Sequence, residues 1–172
     1  MVWRRIRAER LPGRAFQPRF APHHVVSSWL GGLFAITALG LISTWSHDPL
    51  VVVPFGASSV LLFGHPSSPL AQPRNIVLGN TAAAMVSVAC VAWLGSAPWV
   101  MGLAVGGTIA LGHLLRCLHP PAGAVALLGV LLKAKPAFVL MPVLSGSPLL
   151  TLLAVLFSRL RPAAEPCPHH WF

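Results

Sequence analysis

His119 stands directly before Pro120 and Pro121 in the stretch LHPPAGAVALLGVLL, Leu118–Leu132, which is otherwise apolar enough for lipid. An imidazole can donate, accept, carry a proton or bind a metal, and it resists burial in hydrocarbon unless something local compensates it. A second polar set, Gln72, Arg74 and Asn75, lies in SPLAQPRN, and a third, Ser58 and Ser59, in PFGASSVLLFG. All three sets are rich in donors and poor in acids. No glutamate lies in an apolar segment, and Asp48 falls at the end of one. A proton-coupled or sodium-coupled cation carrier normally buries a carboxylate, so this inventory suits a small anion. No metal or cofactor is expected: Cys90, Cys117 and Cys167 are scattered without a CxxC, and His23, His24, His169 and His170 form only terminal pairs. No HExxH, GxSxG or carboxylate pair is present to support an enzyme.

These residues sit in a membrane composition. Of 172 residues 55% are hydrophobic and 9% charged, with a mean hydropathy of +0.74; a soluble domain would carry roughly a quarter charged residues. Half of the twelve basic residues behind the net charge of +9 are Arg4, Arg5, Arg7, Arg10, Arg14 and Arg19, which reads as positive-inside bias with contact to anionic lipid headgroups. Nucleic acid is excluded because no basic surface is interleaved with aromatics. The basic start runs straight into an apolar segment too long for a signal peptide, so the first span is expected to be retained.

Four apolar segments approach the ~20 residues that span a bilayer as a helix: Val25–Trp45, Asn75–Gly95, Pro98–Leu115 and Ala137–Leu160. Between them lie two shorter ones, Pro49–Gly64 and Leu118–Leu132. PFGASSVLLFG from Pro54 and PAGAVALLGVL from Pro121 share a pattern 67 residues apart, and the same offset carries each long segment of the first half onto most of one in the second. Extended residues followed by a half-helix reach about 33 Å, enough to cross. With six crossings and an internal N-terminus, ten basic residues lie inside and two, Lys133 and Lys135, outside; with four crossings the split worsens to eight and four. Six crossings also put Trp45, Trp93 and Trp99 at one interface. Three spans per copy is odd, which makes the repeat inverted. The expected fold is thus an all-α membrane protein, an inverted repeat of two three-span units whose middle spans are an extended segment plus a half-helix. Residues 1–24 form a basic cytoplasmic tail, 25–95 and 96–160 the repeats, and 161–172 a second tail.

The prolines fit such half-helices. Proline costs nothing at a first turn, so Pro54 and Pro121, the latter preceded by Pro120, can start helices inside the membrane. Gly56-Ala57 and Gly123-Ala124 leave those starts bare, and the N–H groups of Gly56–Ser58 and Gly123–Val125 are the expected donors, facing each other across the axis. The expected substrate-binding set is Pro54, Gly56, Ala57, Ser58, Ser59, Gln72, Arg74, Asn75, His119, Pro120, Pro121, Gly123 and Ala124. Plainer roles stand beside these: His119 can cap or bridge backbone groups, Arg74 can mark the interface, and the serines can bond back to their own helix. Gly102 and Gly106 form a GxxxG that serves either packing within the protomer or a homo-oligomer.

PFGASSVLLFG, SPLAQPRN and HPPAGA in this order resemble the HPP family of integral membrane proteins, from Ser27 to Ser158. The resemblance implies a membrane protein linked to transport, described with four spans, in which some members move nitrite across plastid or cyanobacterial membranes. It makes nitrite the first substrate to test. Many relatives carry Gly-His where this sequence has Gly79-Asn80, and some carry a C-terminal CBS module whose control is expected to be absent here. The function expected is transport of a small inorganic monoanion by an integral membrane protein of a bacterial inner membrane, both termini cytoplasmic. The alternative is a non-transporting scaffold or accessory subunit. Cysteines introduced as Lys133→Cys or Lys135→Cys should react with a membrane-impermeant thiol reagent added outside intact cells; labelling only from the cytoplasmic side would refute six crossings.

Overall fold

The structure, a computed structural model, describes residues 20–160 and 167–168. The six N-terminal arginines, Arg161, His169 and His170, and most of both predicted tails lie outside the described residues. Among the described residues six α-helices are present: α1 (Pro22–Ser46), α2 (Val53–Gly64), α3 (Pro73–Leu94), α4 (Pro98–Leu114), α5 (Pro120–Leu131) and α6 (Ser145–Leu160). A 3₁₀ turn at Pro69–Ala71 precedes α3 and a π-helical segment, Val139–Leu144, leads into α6. There is no strand among the described residues.

The first five helices each carry proline at their first or second position, where the missing N–H has no partner to lose. At the other end of α3, Gly95 at φ 80° stops the helix. The half-helix expectation holds closely: α2 and α5 are both 12 residues long and begin 67 residues apart, at Val53 and Pro120. The predicted span Ala137–Leu160 is not one regular helix. Pro142 lacks the N–H that a continuous ladder needs, Met141 takes extended angles, and the chain adopts π-helical turns before α6.

By length and composition α1, α3 and the combined segment Val139–Leu160 can cross a membrane, whereas α2, α4 and α5 are shorter apolar helices. The described helices contain no aspartate, glutamate or lysine, and their arginines stand near ends, Arg74 opening α3 and Arg159 closing α6. Large apolar side chains face outward instead, among them Trp29, Leu41, Val60, Leu103 and Leu152. Such a surface is stable only in a solvent as apolar as itself. Trp45, Trp93 and Trp99 are also exposed.

The core divides in two. Ala35, Leu39, Leu50, Phe55, Leu62 and Leu150 pack where α1, α2 and α6 meet. Ala83, Val100, Ala104, Ala122, Val125 and Val143 pack where α3, α4 and α5 meet. Each triplet takes two helices from one half of the sequence and one from the other, and α3 contacts α6 between them. The chain segments before α2 and α5 press on a glycine of the opposite half. A Cβ on Gly79 would come within 2.8 Å of the Cys117 carbonyl oxygen, and one on Gly146 within 2.6 Å of that of Leu50. Both glycines are there so that backbone can approach a helix closely. Gly102 and Gly106, by contrast, have nothing within 4 Å and face outward.

Gly79→Ala and Gly146→Ala should therefore each destabilise the fold by about 1–3 kcal/mol, because the atom met is backbone and has little freedom to yield. Gly56→Ala, which would meet nothing within 4 Å, should be neutral or stabilising by up to ~1 kcal/mol. Thermal unfolding of the three purified variants in detergent separates these outcomes.

Candidate functional site

The helix α4 ends at Leu114 and α5 starts at Pro120, leaving 115–119 outside any helix, with Leu115 exposed and Cys117 and His119 buried. The carbonyls of such a break need partners that lipid cannot supply. Two side chains from another part of the sequence provide them. Arg74 Nη2 donates to the Leu115 oxygen at 2.9 Å, and Asn75 Nδ2 donates to the Leu118 oxygen at 2.8 Å. In return, the ring of His119 reaches back: its Nδ1 lies 2.9 Å from the Leu70 oxygen in the 3₁₀ turn. Gln72 organises that turn, donating to the oxygens of Pro66 at 3.0 Å and Ser68 at 2.8 Å.

The other ring nitrogen, Nε2, is 2.9 Å from Ser58 Oγ in α2. A carbonyl oxygen can only accept, so Nδ1 carries a proton, and in the neutral ring Nε2 accepts from the Ser58 hydroxyl. His119 is 2% exposed and Ser58 fully buried. The three stretches singled out in the sequence thus close on one hydrogen-bonded node, with His119 at its centre. Ser59 takes the plainer course, bonding back to the Phe55 oxygen at 2.9 Å.

The bond from His119 to Ser58 also fixes how the half-helices meet. Ser58 is five residues into α2, about 8 Å from its start, so the start of α5 abuts the middle of α2. The two starts do not face each other end to end, as the sequence suggested. Gly56 and Gly123 line different cavities, Gly56 one between α1 and α2 with Trp29 and Gly32, Gly123 one beside α4. The expected N–H donors need the same correction. Only the first few amides of a helix lack an internal partner, and those of Gly56–Ser58 and Gly123–Val125 lie beyond them. In α5 the first two residues are prolines without N–H, and Ala122 N donates to the His119 oxygen at 2.9 Å. Ala57 and Ala124 face outward, whereas Pro54 and Pro121 are buried.

What the start of α5 does possess is space. A cavity of about 380 Å³ is bounded by Gly79 and Ala82 of α3, Thr108 and Gly112 of α4, and His119, Pro120, Ala122 and Gly123 at the head of α5. Its walls are mainly apolar, with the imidazole and the Thr108 hydroxyl as polar groups, although that hydroxyl bonds to the Ala104 oxygen at 2.8 Å. Phe55, 67 residues before Ala122, is by contrast a large side chain, fully buried with its ring against Gly146. Thr108 and Ala122 escaped the sequence reading, because neither belongs to a donor-rich stretch. No group of three or more metal-ligating side chains occurs among the described residues.

An all-helical membrane protein with interrupted short helices and a cavity at one interruption is the class these features define. The chain belongs to the HPP family, matching the HPP transmembrane region over residues 17–166. It is similar to two transmembrane proteins of Dictyostelium discoideum, 35% and 34% identical over 144 residues, or 77% of this chain. It covers 46% and 50% of those relatives, so it spans about half of their length. No solved structure matches.

Ser58→Ala should cost about 0.5–1.5 kcal/mol, and His119→Ala more, since it strands the Leu70 oxygen and the Ser58 hydroxyl together. A double-mutant cycle on detergent-solubilised protein should give a coupling of at least ~0.5 kcal/mol. Additive losses would mean that the bond does not hold the two half-helices together.

Proposed function

We propose that this chain transports a small inorganic monoanion, nitrite being the first to test, through the cavity at the head of α5. The observation that carries the reading is that cavity, with a buried histidine and a helix start at its wall in a bundle whose described helices hold no carboxylate. A helix N-terminus favours a nearby anion by about 0.3–1 kcal/mol when exposed, and by up to ~2 kcal/mol when partly buried. His119, Pro120, Ala122 and Gly123 would line the bound anion, while Ser58, Gln72, Arg74 and Asn75 hold the wall in place.

The inverted repeat is part of this proposal. It is supported by the equal lengths and 67-residue spacing of α2 and α5, by Gly79 and Gly146 meeting the carbonyls of Cys117 and Leu50, and by the exchange of α3 and α6 between the two core clusters. Each of these pairs a residue with one 67 positions away. Six crossings follow, and the basic residues' distribution supports cytoplasmic termini. The bacterial inner membrane is the proposed setting. The outward Gly102 and Gly106 are open to a second copy of the chain.

Purified protein in liposomes should carry nitrite with saturation and leave sodium, potassium and ammonium behind. Ala122→Phe, which puts a bulky ring at the cavity wall, should lower nitrite flux by roughly tenfold or more, a barrier increase of about 1.4 kcal/mol. Insertion without any anion flux would favour the scaffold reading, and sodium or ammonium flux without nitrite flux would overturn the choice of substrate.

A further inference from the structure

Asn80 and Ser147 are fully buried on α3 and α6, and the Asn80 side-chain nitrogen lies 3.2 Å from Ser147 Oγ. The other end of the amide has no hydrogen-bond partner among the described residues. Burying one unpaired polar group costs about 1–3 kcal/mol, and a leucine of nearly the same size would avoid that cost. The amide is therefore at the centre of the bundle at the expense of stability.

Its position has a symmetry meaning. The two residues are 67 apart, the spacing of the proposed repeat. A two-fold operation that carries residue 80 onto 147 also carries 147 onto 80, so a direct bond between them straddles the axis. In an inverted repeat that axis lies in the membrane plane, and a ligand held on it is equally far from both surfaces. Alternating-access carriers keep their sites there. The cavity at His119 is lined by α3 from the first copy and by α4 and α5 from the second, and borders Gly79, the residue next to Asn80.

The hydrogen bonding decides which sign of ligand fits. Oxygen and nitrogen of an amide exchange places by a half-turn of the side chain. Among the described residues the Ser147 hydroxyl bonds only to Asn80. Its proton finds an acceptor if the amide oxygen faces it, and the NH₂ group then turns to the unpartnered side. That arrangement pairs both the oxygen and the hydroxyl and leaves two donors free, which is the chemistry of an anion site rather than a cation site.

We infer that Asn80 and Ser147 form a second, central binding station for a small monoanion on the pseudo-two-fold axis, loaded from the cavity at His119. The station rests on the proposed transport function. The anion accepts from the two amide protons while Ser147 fixes the amide by donating to its oxygen.

The test compares nitrite flux and thermal stability of the full chain in liposomes and detergent. Asn80→Leu removes the unpaired amide and should leave the melting temperature equal or higher, yet reduce nitrite flux by at least roughly tenfold, the loss of one hydrogen bond to a charge. Asn80→Ser should also lose flux, and adding Ser147→Asn, which exchanges the two groups across the axis, should recover most of it. Flux undiminished by Asn80→Leu overturns the inference and leaves transport standing. Failure of the exchanged pair to recover, in a protein that melts like the original, overturns the placement on the axis. Absence of nitrite flux in the unmodified chain overturns both the station and the transport function.

Discussion

A polypeptide that interrupts its helices inside an apolar bundle must find hydrogen-bond partners for the exposed backbone, and this constraint shapes the site. The break at 115–119 is closed by side chains from the start of α3: Arg74 and Asn75 take up the carbonyls of Leu115 and Leu118, and His119 of the break in turn takes up that of Leu70. Each bond ties one interruption to the other. The turn after α2 and the break before α5 are therefore a single unit, and the half-helices are locked across it by His119 and Ser58. A histidine and two prolines in lipid-grade sequence are explained by that: the prolines start a helix, and the imidazole satisfies two polar groups that hydrocarbon would leave bare.

The same break creates the cavity. A half-helix that begins in the middle of the bundle leaves unfilled volume at its head, and what fills it is a matter of side-chain size. At the head of α5 the small Ala122 leaves the cavity open, whereas Phe55, 67 residues earlier, is buried with its ring against Gly146. The close approaches at Gly79 and Gly146 are alike.

The polar groups differ in what they do for stability. Arg74, Asn75 and His119 are satisfied and hold the fold. Asn80 is buried and half satisfied, and the fold would lose nothing in packing by replacing it. Satisfied groups of this kind specify structure, whereas an unsatisfied one at the centre of a membrane bundle points to a role outside stability.

Much of this was legible in the sequence because it depends on local chemistry. Proline at a first turn fixed the starts of α2 and α5 to within one or two residues, hydropathy marked the apolar segments, and the spacing from Pro54 to Pro121 announced two halves. The three polar stretches were also visible, since donors in apolar sequence stand out by type. Their pairing was not. The acceptors are the carbonyls of Leu70, Leu115 and Leu118, and a carbonyl is the same on every residue, so nothing in the letters says which one is orphaned. The relative placement of the half-helices was equally hidden, and the end-to-end arrangement gave way to a side-by-side one because His119 reaches Ser58 rather than the start of α2. Asn80 and Ser147 stand 67 residues apart in the sequence, but only packing α3 against α6 turns two polar residues into one contact.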